Sequence, residues 1–254
     1  RRGSGHTVVT PFSGEPLAPD SLPLLALPAA HEPTPFDSSP LGRPIPLGAD
    51  LHYRFEPGRT IFDDSRAATS HTFVAFSGEL QRGGAAEFPF HVTSHDWQES
   101  DRLLAAIITA FSGPTGAVEV GGRGTFDGVM TGSFSAPRIE GQFAGEHMRA
   151  WDVLWGRATA DLIVQGGYVD IANSRIGKGD ESRLNADGRF ALGFRRDDAE
   201  EIRARVHFEN WPVADLRHAF MIDDWPMDGT IAESTLDLTG QYRNLFGAGT
   251  IRVV

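Results

Sequence analysis

Apolar residues recur at every second position in segment after segment of this chain, and that period limits what it can fold into. Leu51, Tyr53 and Phe55 alternate with His52 and Arg54. Phe126, Met130 and Phe134 share one parity with Gly128 and Gly132, while Thr125, Asp127, Thr131 and Ser133 take the other. Leu184, Ala186, Phe190, Leu192 and Phe194 alternate with Asn185, Asp187, Arg189 and Arg195. Ile202, Ala204, Val206 and Phe208 alternate with Arg203, Arg205, His207 and Glu209, and Leu236, Leu238 and Tyr242 with Asp237, Thr239 and Gln241. A period of two puts each set on its own face of a pleated strand. Strands covered on both faces would read as unbroken apolar runs instead. The expectation is an all-β fold whose sheet is apolar on one side and wet on the other over at least four strands. The 29 glycines and 16 prolines suit many strands joined by tight turns.

Two regions and a repeat organise the chain. Residues 1–48 hold ten of the sixteen prolines, from Pro11 to Pro46. Proline lacks a backbone donor and resists helices and central strands, so this span reads as an extended segment, with Leu22, Leu24, Leu25 and Leu27 able to pin it to a surface. Residues 49–254 read as a β-repeat region. Gly132-Ser133-Phe134 and Gly141-Gln142-Phe143 match Gly240-Gln241-Tyr242 and Gly249-Thr250-Ile251, and Gly121 matches Gly229, all at one shift. Trp97 and Asp101 match Trp211 and Asp215 at a slightly longer one. The copies, about 76–145 and 187–254, each run strand, short helix carrying Trp-x-x-x-Asp, then a glycine-punctuated strand pair. Asp96-Trp97-Gln98-Glu99 has the form of a capping box, followed by Leu104, Ile107, Ile108 and Phe111 at helical spacing. Pro212 reads as the first residue of the second helix, with Leu216, Ala219 and Phe220 on its apolar side. Such helices either cap the greasy face of the sheet or cover a hairpin end.

Several function classes find no support in the residues. A formal charge of −11 with no basic stripe argues against nucleic acid. With no cysteine there is no disulfide framework, thiol nucleophile or zinc–thiolate site. No apolar stretch is long enough to span a bilayer as a helix, and the chain reads as an internal fragment of a longer one. His91-x-x-x-His95-Asp96 is the best metal candidate in the sequence, but its two histidines straddle a strand end rather than sharing a helical face. His147 near Trp151 and Asp152, and His218 near Asp223 and Asp224, read as solvated loop groups, and Asp197-Asp198-Ala199-Glu200-Glu201 as a charged hairpin tip. A polysaccharide-active β-helix enzyme would need carboxylates such as Asp127, Asp152, Asp170 and Asp187 gathered in one cleft. Phosphate-loop and nucleophile-elbow motifs are missing from the sequence. No enzyme activity and no cofactor are expected.

The run from Gly124 to Gly145 (GTFDGVMTGSFSAPRIEGQFAG) resembles the translocation and assembly module TamB and the wider AsmA-like group. So do Asn210-Trp-Pro-Val-Ala-Asp-Leu216, Asp228-Gly229, Leu236-Asp-Leu-Thr-Gly240 and Gly247-Ala-Gly-Thr-Ile-Arg-Val253. The resemblance covers roughly residues 70–254. It implies an elongated, U-shaped, taco-like sheet with one greasy face and short interrupting helices, in a periplasmic bridge anchored in the inner membrane outside this fragment. It also implies phospholipid transfer and outer-membrane assembly, with phospholipid and an outer-membrane assembly protein as partners. The groove would then be lined by Phe126, Met130, Phe134, Ile139, Phe143, Phe190, Leu192, Phe194, Val206, Phe208, Leu236, Leu238 and Tyr242. The same residues could instead fill a closed β core, as in a β-solenoid scaffold or adhesin module. Trp97 and Trp211 read as helix-to-sheet packing, whereas Trp151, Trp155 and Trp225 could also form a rim.

Overall fold

The structure, a computed structural model, describes residues 2–9, 47–103, 120–192, 201–219, 222–241 and 244–254. Among them thirteen strands form one antiparallel sheet in which every strand pairs with its sequence neighbours. They are β1 (Gly3–Val9), β2 (Gly48–Glu56), β3 (Arg59–Ala68), β4 (Thr72–Gln81), β5 (Ala85–Ser94), β6 (Gly121–Ser133), β7 (Ala136–Ala150), β8 (Val153–Gln165), β9 (Tyr168–Lys178), β10 (Ser182–Ala191), β11 (Ile202–Pro212), β12 (Thr230–Gln241) and β13 (Asn244–Val253). Two short helices interrupt the meander: α1, described over 97–103, and α2 (Val213–Ala219). The sheet is open, with β1 and β13 at its edges. Twelve inter-strand spacings of about 4.8 Å would make it about 58 Å across if flat, longer than its strands.

The strand–helix–strand–strand order expected of the repeat is present twice, as β5–α1–β6–β7 and β11–α2–β12–β13. Gly132 and Gly240, matched in sequence, both sit at a hairpin end with positive φ (90° and 124°), where a side chain would be strained. β1 lies inside the proline-rich span and pairs with β2 from Gly3↔Phe55 to Val9↔Ala49. The ten prolines themselves lie outside the described residues.

Alternation survives across this width because β-bulges reset it. Asp64 (φ 41°), His147 (φ 53°), Asn173 (φ 53°) and Asn210 (φ 50°) adopt the left-handed conformation, each at a register shift or a gap in the ladder. Asp, Asn and His tolerate this region best among residues other than glycine. Two bulges carry a serine that repairs the interrupted ladder. The fully buried Ser65 Oγ accepts from the His52 amide (3.1 Å) and donates to the His52 carbonyl (3.2 Å). Ser174 Oγ accepts from the Ala186 amide (2.6 Å), while its own amide donates to Asp187 (2.8 Å).

Each helix is tied to the sheet differently. Asp96 caps α1 through the Gln98 amide (3.0 Å), but Glu99 does not close the expected box. Its carboxylate turns to the β3–β4 connection, accepting from the Thr69 hydroxyl, the His71 amide (3.0 Å) and the Thr72 hydroxyl (3.4 Å). Ser100 adds hydroxyl contacts to Thr72 (2.7 Å) and Ser94 (2.6 Å). Pro212 ends β11 rather than opening α2, a one-residue difference of the kind that element ends commonly show. Val213 and Leu216 of α2 pack into a cluster with Leu184, Val206, Phe208, Trp211 and Ile231. Leu104, Ile107, Ile108, Phe111 and Phe220 lie outside the described residues.

Trp211 is fully buried, stacked on Trp155 (5.7 Å between centroids, 25°) and edge-on to Phe208 (6.1 Å). Removing a buried aromatic of this size costs about 3–5 kcal/mol. Trp211→Ala is therefore expected to lower denaturant-derived stability by that amount. Trp225→Ala, at an indole 48 % exposed, should change it by no more than about 0.5 kcal/mol.

Candidate functional site

The pairing registers align the apolar positions into rows that cross the sheet perpendicular to its strands. One row runs Val9–Ala49–Ala67–Val74–Val92–Phe126–Phe143–Ala160 from β1 to β8. A second runs Phe88–Met130–Ile139–Val164–Val169–Phe190–Ile202–Gly240–Leu245 from β5 to β13. Neither row contains an ionisable residue. The second crosses nine strands, about 38 Å of sheet at about 4.8 Å per strand. Glycines in neighbouring rows make room for rings. A Cβ on Gly78 would lie 2.8 Å from the Phe88 ring, and the bare backbone there lets Phe62 of β3 reach Phe88 of β5 (5.7 Å between centroids). Phe126 covers Gly128 in the same way and stacks on Phe90 (5.6 Å, 27°).

The candidate groove residues that the structure describes fall into three groups. Phe126, Val206 and Phe208 are buried, the last two beneath α2 in the main cluster. Met130, Ile139, Phe143, Phe190, Leu192, Leu236 and Leu238 are half-buried, and Phe134 is exposed (37 %). Phe194 and Tyr242 lie outside the described residues. The face is thus most covered at β11 and most open toward the β1–β2 edge, where Val9 and Phe55 are about half exposed. It also closes inward near α2. Trp155 of β8 stacks on Trp211 of β11 although two strands lie between them, a separation of about 14 Å in a flat sheet. Trp97 lies edge-on over Phe143 (5.1 Å), so α1 covers the apolar face over β7. Among the described residues the open sheet expected from the sequence is present, with partial cover, and the alternative of a closed core is not.

At the hairpin end of this face lies an open depression of about 650 Å³. Its walls include Phe55 (51 % exposed), Leu80 and Phe134, with Arg59 and Arg82 on its rim. Arg59 is held by Glu56 (2.8 Å) and Glu79 (2.9 Å). This mouth was not evident in the sequence, because its residues come from three separate turns.

The opposite face is laced by ion pairs. Arg189 meets Asp170 (2.6 and 2.8 Å), Arg205 meets Asp237 (2.8 and 3.3 Å) and Arg54 meets Asp63 (2.8 and 3.3 Å). The hydrogen bonds from these arginines hold the three carboxyls below the usual carboxylate range, as Arg123 does for Glu146. One apolar exception on this face joins Phe73 and Ala68, both 2 % exposed.

The candidate metal and acid groups of the sequence do not converge. His91 pairs with Asp127 (2.5 Å) and Thr93 (3.0 Å), whereas His95 stands at the strand end beside His71, where burial lowers its pKa. His218 pairs with Asp223 (3.3 Å) on the surface, and His147 belongs to a bulge. Asp127, Asp170 and Asp187 sit on β6, β9 and β10 with separate partners, His91, Arg189 and the Ser174 amide, and Asp152 lies in the β7–β8 turn. Of the acidic run, residues 197–200 lie outside the described residues and Glu201 is buried.

Carboxyls whose folded pKa is depressed add stability above their unfolded value, about 4, and lose it as pH falls through the lower folded one. Thermal midpoints are therefore expected to hold above about pH 4 and to fall below it. The double variant Asp170→Asn, Asp237→Asn should show a shallower acid decline, measured by circular dichroism melts from neutral pH downward.

The chain matches no family model, no curated protein and no solved structure.

Proposed function

We propose that this chain is a periplasmic segment of a bridge-like envelope protein, and that its apolar sheet face carries the acyl chains of phospholipid toward the outer membrane. The observation behind this reading is the uncharged row crossing nine strands from Phe88 to Leu245, much of it half-exposed. Each methylene laid against such a surface contributes about 0.8 kcal/mol, so affinity builds along the chain of the lipid without a specific anchor. Repetition of similar sites in neighbouring rows favours sliding over tight capture. The mouth at Phe55, Leu80 and Phe134 would admit the acyl end, with Arg82 on its rim suited to a phosphate. The resemblance to TamB and AsmA-like proteins adds the compartment, an inner-membrane anchor outside this segment and an outer-membrane assembly partner. A protein-binding scaffold is the second reading, supported by the exposed edge strand β13, where Phe246 is 64 % and Ile251 54 % exposed.

Native mass spectrometry of the purified chain, with lipid extraction of the same sample, tests the proposal. Copurified phospholipid is expected, with a loss of about tenfold or more in Phe134→Glu and Phe190→Glu, since placing a charge against an acyl chain costs more than 1.4 kcal/mol. Both variants should keep the β circular dichroism signal, and the exposed Phe134 keeps the test clear of core damage if Phe190→Glu destabilises the sheet. A folded, lipid-free wild-type chain would overturn the lipid reading in favour of the scaffold.

A further inference from the structure

A second group of chemically capable side chains lies on the polar face at the β1 edge, away from the apolar rows. His6 and His52 are directly opposed in the β1–β2 register, and Asp50 precedes His52 by two, so all three project from the same face. The two imidazoles stack at 4.2 Å with 7° between their planes. Their Nε2 atoms are directed at one carboxylate oxygen, Asp50 Oδ1, at 2.6 Å from His6 and 4.0 Å from His52. One donor atom from each residue lies within 4.8 Å of the others. Among the described residues this is the one cluster of three or more such ligands.

We infer that His6, Asp50 and His52 form a binding site for a divalent transition-metal ion of the zinc class, which clips the edge strand β1 to β2. Two imidazoles and a carboxylate are a ligand set that zinc accepts, at about 2.0–2.2 Å from each donor. Around a tetrahedral ion such donors stand about 3.3 Å apart, between the two Nε2–Oδ1 separations present here, so turns of the Asp50 side chain and of the two exposed rings would bring the three donors to one centre. A single carboxylate oxygen faces both stacked rings at unequal distances, and an ion held between them would take a lone pair from each imidazole. The fourth position faces solvent, His6 and His52 being 53 % and 46 % exposed at the side chain.

The clip has a structural purpose. His6 and His52 are far apart in the sequence, with the proline-rich span between them. The entropy of bringing such distant segments together opposes the pairing of β1, and a cross-link near the point of pairing offsets it. The chain has no cysteine, so a disulfide cannot supply that link.

The test is a calorimetric titration of Zn²⁺ into the metal-free full chain, with hydrogen exchange of residues 3–9 measured before and after. One ion per chain and slowed exchange in β1 are expected. His6→Ala and His52→Ala should each weaken binding by more than about 100-fold, beyond the loss typical of an outer-shell partner. Both side chains being about half exposed, the variants should retain the wild-type circular dichroism. Co²⁺ in place of Zn²⁺ should give the visible absorption of a tetrahedral nitrogen–oxygen site, absent in Asp50→Asn. No binding, or one-to-one binding that persists in the His6→Ala, His52→Ala double variant, would overturn the assignment, as would binding that leaves exchange in β1 unchanged.

Discussion

The neighbour-to-neighbour antiparallel ladder is the constraint on which this molecule depends. Each strand exchanges its backbone hydrogen bonds with the strands before and after it in sequence, so polar backbone groups are satisfied locally. Such a meander is a single layer, and a single layer leaves its apolar face without a second sheet to cover it. The placement of α1 and α2, the inward closure near Trp155 and Trp211, and the half-exposed rows over β6–β7 all follow from that shortage of cover. The edges β1 and β13 follow as well, because among the described residues a meander that does not close on itself ends in two strands paired on one side only.

Bulges let so wide a sheet keep one apolar face. An extra residue in a strand shifts every later side chain to the other face unless the neighbouring strands shift with it. At β3 and β9 the register changes on both sides of the bulged strand, and Ser65 and Ser174 supply the hydrogen bonds that the extra residue breaks. At β8, Gly156 (φ 92°) accompanies the register change that leaves Trp155 packed with the core beneath α2. The glycines beneath Phe88 and Phe126 are a related device, since a bare backbone position lets a ring lie flat across a strand rather than stand away from it.

Cover is uneven, and the function proposed here rests on that unevenness. Under α2 the side chains of β11 form a packed cluster around Trp211, which fixes the sheet at that end. Over β6 and β7 the same rows continue with Met130, Ile139 and Phe143 only partly covered. A fold that buried the whole face would gain stability and lose the surface on which an acyl chain could rest.

Sequence by itself determined the β class, the single apolar face, the two-copy order of strand, helix and strand pair, and the parity of the alternating residues it named on β6, β10, β11 and β12. These are properties of period and order, which a local pattern carries in full. It misplaced Glu99, whose spacing fits a capping box but whose carboxylate finds better donors at Thr69 and His71, thirty residues earlier in the chain and adjacent only in space. The mouth at Phe55, Leu80 and Phe134, the pairing of His6 with His52 and the stacking of Trp155 on Trp211 were likewise decided by tertiary structure alone. Each joins residues far apart in the chain through strand register and sheet curvature. Alternation says which face a side chain takes, but not which residue stands opposite it.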